Sequence, residues 1–140
     1  MNLSKNFSLK ELVASTIAVR HGIEEQFNPP PQALVNMTAL TQNVLQPVRD
    51  HFGRVRVSSC FRNPEVNEIA GGSDTSDHCC SFTKAAADFE VISEEISNLE
   101  LAVWIRDNLR FSQLILEFYD PKKGPNSGWV HVSYDSLDQD

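Results

Sequence analysis

The sequence predicts a single α+β domain, with helices packed against an antiparallel sheet, and three observations carry that expectation. Helical periodicity dominates the first half of the chain, strand-like runs dominate the second, and the two do not alternate in the regular βαβ manner of a parallel sheet. The chain has 140 residues, 41% of them hydrophobic and 22% charged, which suffices for one core and not for two well-separated ones. One domain is therefore expected over residues 1–134, with one active site, followed by an acidic tail over 135–140.

Ser8 and Glu11 match a capping box, and Leu9, Leu12, Val13 and Ile17 then share a face, so a short amphipathic helix is expected to run to a stop at Gly22. After Pro29, Pro30 and Pro31, the residues Leu34, Met37, Leu40, Val44, Leu45, Val48 and Phe52 recur at three- and four-residue steps up to Gly53. They predict the longest helix, bent near Pro47. Val55 to Ser59 alternates as a strand does, and Asn63 with Pro64 opens a short helix that stops at Gly71 and Gly72. The stretch from Gly72 to about Thr83 is polar and turn-like. Ala86 to Ile92 predicts a second strand, and the capping box Ser97 to Glu100 opens a helix through Leu101, Trp104, Ile105 and Leu109. Gln113 to Phe118 reads as a strand, Asp120 to Gly128 as a loop, and Trp129 to Tyr134 as a final alternating strand.

The formal net charge is -7 and no run of Lys or Arg interrupts it, which argues against a nonspecific grip on nucleic acid or anionic lipid. No stretch of about 18 apolar residues occurs and the N-terminus lacks a signal-like apolar core. The expectation is a protein that is made without a signal peptide, stays in the cytoplasm and uses no membrane. Cys60, Cys79 and Cys80 are an odd set with two adjacent members, unlike a disulfide framework, so reduced thiols are expected. Cys79 and Cys80 directly follow His78, which keeps thiolate ligation of a metal in play.

Three residues suggest a metal site. His78 lies in a turn-rich loop, Asp88 in or at the start of a strand, and His131 in the strand that follows Trp129. Two imidazoles and a carboxylate leave a fourth tetrahedral position on zinc for water, the arrangement that a hydrolytic zinc requires. Taken singly, each has an ordinary alternative: a hydrogen-bonded structural histidine, or a solvated aspartate at a strand edge.

The stretch Ser58 to His78, then Ala85-Ala86-Ala87-Asp88-Phe89, then Gln113 to Pro121, then Gly128 to Tyr134 resembles the zinc D-alanyl-D-alanine carboxypeptidase and phage L-alanyl-D-glutamate endopeptidase (endolysin) family, which shares its fold with the hedgehog signalling domain. The resemblance runs from about Leu3 to Tyr134. It implies a hedgehog/DD-peptidase-like α+β fold and a zinc ion held by His78, Asp88 and His131. The implied activity is peptidase action on the peptides of bacterial peptidoglycan, by a monomer of phage or prophage origin that waits in the host cytoplasm or travels with the virion.

Phe61-Arg62-Asn63-Pro64 is similar to the family's Tyr-Arg-Ser-Pro element, which makes Arg62 the candidate to bind a substrate carboxylate or stabilise the tetrahedral intermediate; a surface ion pair is its alternative. Ser73 and Ser76 match the two serines before the first ligand and are expected to orient the ligand loop or a substrate group. Many relatives carry an acid three residues before the last histidine, where this chain has Gly128. The proton-transfer role then falls to Glu117, a carboxylate among apolar strand residues, whose alternative is an outward-facing strand glutamate. Trp129 and Tyr134 are candidates to line the cleft, with a core position the competing reading for Trp129. His21 and His51, at helix ends, are expected to be solvated.

The chain also departs from the pattern. The step from His78 to Asp88 is ten residues, longer than in the family, the spacer glycine is missing with Lys84 near its place, and Cys60 stands at a second usual glycine. The lengthened loop could bulge outward and leave the ligands in place. Alternatively, Cys79 or Cys80 could replace a ligand or fill the water position, giving a structural zinc, or the site could be disrupted. The corresponding functional alternative is a noncatalytic phage structural or wall-binding domain.

Overall fold

The computed structural model describes residues 1–137; residues 138–140 lie outside the described residues. A small hairpin, β1 (Asn2–Ser4) with β2 (Phe7–Ser8), leads into α1 (Leu9–Val13). Where the periodicity predicts one helix to Gly22, the chain breaks. Ala14 leaves helical geometry at ψ 135°, and Ser15 caps a new helix, α2 (Thr16–His21), its hydroxyl accepting from the Ala18 N–H. A serine that can satisfy an orphan N–H favours such a restart over continuation.

The long helix is three segments laid end to end: α3 (Pro31–Leu40), a wide π turn over Thr41–Leu45, and α4 (Gln46–Phe52). Pro47 has no N–H to offer and its ring crowds the preceding turn. The ladder widens just before it, where the Gln46 N–H reaches back to the Thr41 carbonyl. Met37, Leu40, Val44, Leu45 and Val48 along this helix are fully buried.

The remaining elements are β3 (Val55–Ser59), α5 (Pro64–Ile69), β4 (Lys84–Val91), α6 (Asn98–Asn108), β5 (Gln113–Glu117) and β6 (Trp129–Asp135). Four of them form an antiparallel sheet in the order β3-β4-β6-β5, so the fold is α+β. The ordered chain continues past residue 134. Asp135 pairs with Lys84, and Ser136 bonds through its N–H to Thr83 and through its hydroxyl to Asn36.

Strand alternation decides what each face of the sheet carries. Ala85, Ala87, Phe89 and Val91 of β4 and Val130, Val132 and Tyr134 of β6 enter the core with Met37, Leu40, Leu101 and Ile105. Asp88 and Glu90, Trp129, His131 and Ser133, and Gln113, Ile115 and Glu117 therefore share the opposite face. Each large apolar side chain so buried contributes about 1.5–3 kcal/mol, and a slip of one residue would turn the whole set outward. The apolar core thus fixes the register that sets Asp88 opposite His131.

The same alternation corrects one expectation and decides between the two readings of another residue. Tyr134 belongs to the core, on the face away from His131, and does not line the cleft. Trp129 is half-buried on the His131 face, its ring 5.2 Å from that of Phe118. His51 is exposed, but stacks on Trp104 with centroids 4.5 Å apart.

Candidate metal centre

His78, Asp88 and His131 meet, their candidate donor atoms all within 4.8 Å of one another. The sheet supplies two of them, and the short 3-10 turn Asp77–Cys79 delivers the third. Asp88 Oδ1 lies 2.8 Å from His131 Nδ1, and Asp88 Oδ2 lies 3.3 Å from His78 Nε2. Side-chain exposures of 6%, 12% and 12% for His78, Asp88 and His131 leave the group shielded from bulk water yet reachable. It is the one group of His, Cys, Asp and Glu among the described residues able to share a cation.

His78 is held on three sides. The Ser76 hydroxyl accepts from its N–H at 3.2 Å, its carbonyl accepts from the Arg62 N–H at 2.7 Å, and its Nδ1 is 2.8 Å from the Cys60 carbonyl. A carbonyl can only accept, so Nδ1 carries a proton, and Nε2 is the ring atom turned toward Asp88. The position where Cys60 replaces a glycine serves through its backbone, and its side chain is buried.

The lengthened loop is tied down at its middle. Asn36, fully buried on α3, donates from Nδ2 to the carbonyls of Cys80 at 2.9 Å and Phe82 at 3.0 Å, while its Oδ1 accepts from Gln32 and Ser136. The loop turns without a glycine, since Cys80 and Phe82 adopt φ of 54° and 56°. Such a conformation costs roughly 1–2 kcal/mol for each non-glycine residue, against which the two bonds from Asn36 act. The Phe82 ring is left in solvent while His78 and Asp88, at the loop's ends, stay together.

Both nearby thiols stand outside the His–Asp–His group, and all three cysteines are free. The Cys80 thiol is directed at the His78 carbonyl, 3.5 Å away; its hydrogen bond with Cys60 and its burial raise its pKa well above the ordinary thiol value. Burial, with Cys80 alongside, raises that of Cys79. Thiols kept protonated in this way are poor metal ligands.

The charge balance at Asp88 runs the other way. Burial pushes its carboxyl up, but hydrogen bonds from His131 and His78 and their charges outweigh burial and hold it well below the usual carboxylate range. Arg62 stands beside it, Nη2 3.9 Å from Asp88 Oδ2 and Nη1 3.4 Å from Asn67 Oδ1. Its segment is fixed by the fully buried Gln26, which donates to the Val13 and Phe61 carbonyls, each at 2.8 Å, and accepts from the Asn63 N–H at 2.7 Å.

Glu117 ends β5 opposite Trp129, a diagonal neighbour of His131 on the same face, half-buried and without a side-chain hydrogen bond or ion pair among the described residues. The position three before His131 cannot carry an acid. Gly128 has φ 69°, and a Cβ there would lie 1.9 Å from the Glu117 carbonyl oxygen. Ser73 is exposed and bonded to Thr75, whereas Ser76 caps the His78 turn; neither hydroxyl bonds to the His–Asp–His group.

Sequence reasoning missed Gln26, Asn36 and Gln113. Asn36 falls among Ala33, Met37 and Leu40 on an apolar helix face, and an amide in such a place must find buried partners; that signal was available. Nothing in the sequence marks Gln113, whose Oε1 lies 3.1 Å from His131 Nε2.

The donor set suits a divalent cation. Two imidazole nitrogens with their opposite ring nitrogens already bonded, and one ionised carboxylate between them, match zinc's preference for nitrogen and oxygen at about 2.0–2.2 Å. The family model described as Peptidase M15 matches residues 5–133. No curated protein and no solved structure matches the chain.

Proposed function

Because the chain belongs to the peptidase M15 family, we propose that it is a zinc-dependent peptidase that hydrolyses peptide bonds in the stems or cross-links of bacterial peptidoglycan. The observation that carries this reading is the convergence of His78 Nε2, the Asp88 carboxylate and His131 Nδ1 within 4.8 Å. Three protein ligands are the complement of a hydrolytic zinc, whereas structural sites use four.

His78, Asp88 and His131 would hold the ion, which when bound supplies Lewis acidity, polarising a carbonyl and acidifying water. Glu117 takes the proton of the attacking water and returns it to the leaving amine, a role supported by its place on the His131 face and by a carboxylate that has no partner among the described residues. Arg62 offers a guanidinium at the edge of the group, positioned to steady negative charge on the reacting carbonyl oxygen or to bind a substrate carboxylate. Ser76 acts through the ligand turn that it caps. Ser73, at the exposed start of that loop, is assigned to substrate contact.

The setting we assign is wall lysis by a phage or prophage, with a monomer held in the host cytoplasm until lysis or carried on the virion. Its support is the endolysin-like wording around the three ligands and Glu117. No helix among the described residues is long and apolar enough to cross a membrane.

The test is release of new amino groups from purified peptidoglycan by the zinc-loaded protein, compared with His78→Ala and Glu117→Ala. Loss of release in both variants is expected; equal activity in all three proteins defeats the assignment.

A further inference from the structure

The face of β5 and β6 beside the metal centre carries a polar pair that the activity alone does not call for. His131 Nε2 lies 3.1 Å from Gln113 Oε1 and 3.2 Å from Ser133 Oγ, and the Ser133 hydroxyl donates to Gln113 Oε1 at 3.5 Å. Ser133 is fully buried two residues beyond His131 on β6, and Gln113 is exposed directly opposite Ser133 on β5. The register therefore brings the Gln113 amide diagonally onto the imidazole edge that faces away from Asp88.

We infer that Gln113, backed by Ser133, is a positioning residue that keeps the proton of His131 on Nε2 and so reserves Nδ1 for the metal. The inference rests on the zinc reading given above. An amide oxygen can only accept. With the Ser133 hydroxyl donating to that same oxygen, Gln113 Oε1 and Ser133 Oγ together offer lone pairs to a proton on Nε2. With no cation bound, Nδ1 donates to Asp88 Oδ1; a cation at the point shared with Asp88 and His78 would take the Nδ1 lone pair instead, and the one N–H left on the ring is then the one that Gln113 and Ser133 hold on Nε2. The reverse amide orientation would turn the NH2 toward the ring, leave the proton on Nδ1 and bar that atom from a cation. Cys60 does the matching task for His78 with a backbone carbonyl, which no substitution removes. At His131 the task falls to a side chain on the neighbouring strand, and it is open to mutation.

The experiment measures zinc affinity by competition with a chromophoric chelator, together with the two-bond proton–nitrogen NMR correlations of the His131 ring in the zinc-loaded protein. Gln113→Leu with Ser133→Ala removes both acceptors, and Gln113→Glu keeps an acceptor at the same reach. Because Gln113 is exposed, Gln113→Leu alone keeps the proposal testable if the double variant does not fold. The expected result is zinc affinity lower by about 10- to 100-fold in the double variant, less in Gln113→Leu, and within a few fold of wild type in Gln113→Glu. The wild-type ring is expected to show its proton on Nε2. Wild-type affinity in both Gln113→Leu and the double variant, or a proton on Nδ1 in the zinc-loaded wild type, overturns the inference while leaving the metal site standing. Failure of the wild type itself to bind zinc, or undiminished binding by His131→Ala, removes the metal-site reading and this inference with it.

Discussion

Asp88 Oδ1 and His131 Nδ1 stand 2.8 Å apart across two paired strands, in a register held by the apolar residues on the other face of the sheet. The core of this protein and its polar site are therefore one construction: the packing that buries Phe89 and Val132 also sets the two side chains against each other. Asp88→Asn keeps the shape but removes the charge that both imidazoles face. We expect zinc affinity lower by more than about 100-fold, since even outer partners of a ligand are worth 10- to 100-fold. Equilibrium dialysis at fixed pH checks it.

The depressed Asp88 pKa gives a second expectation, with a sign. A carboxyl whose folded pKa lies below its ordinary value of about 3.9 stabilises the fold fully above that value, and loses the contribution as pH falls toward the folded pKa. For metal-free protein, the difference in unfolding free energy between wild type and Asp88→Asn narrows from about pH 4 downward. Urea titrations at pH 7, 4 and 3 read it directly. A gap that widens between about pH 4 and pH 3 contradicts this account.

Glu117→Gln separates chemistry from binding. The amide preserves size and leaves the three ligands untouched, so zinc content should match wild type while hydrolysis falls on the order of 10²- to 10⁴-fold. Parallel metal analysis and turnover on peptidoglycan fragments decide it. Unchanged turnover would move the proton-transfer role off β5.

Gly128→Ala is expected to destabilise the protein by about 2 kcal/mol or more, because φ is 69° and the new Cβ would meet the Glu117 carbonyl at 1.9 Å. Thermal unfolding measures the loss. A neutral outcome would mean that the turn between β5 and β6 yields easily and does not hold Glu117.

Asn36→Ala tests the tether of the lengthened loop. It leaves the Cys80 and Phe82 carbonyls without their donor, at a cost of about 1–3 kcal/mol. Freed from that anchor, the loop should expose Cys79 and Cys80, so both react faster with a thiol reagent than in wild type. Unchanged thiol reactivity would show that the loop is held by other contacts.

How much of this was legible in the sequence depends on the range of the interaction involved. Strands β3 to β6 and α6 follow from alternation and capping, which are local, and their bounds fall within a few residues of expectation. The break at Ser15 was open to reading as a second cap, but the continuing apolar period through Ile17 masked it. The His78, Asp88 and His131 set came from resemblance rather than from periodicity, because no local pattern brings a loop histidine onto a strand pair. The fate of the lengthened loop was beyond reach, since it turns on Asn36, 44 residues before Cys80, and on two left-handed turns made without glycine.

X-ray absorption at the zinc edge of the purified protein reads the ligand atoms themselves. The account predicts one zinc per chain in a shell of nitrogen and oxygen at about 2.0–2.2 Å, unchanged in Cys79→Ser and Cys80→Ser. A sulfur shell near about 2.3 Å, or a protein that takes up no zinc, would contradict it.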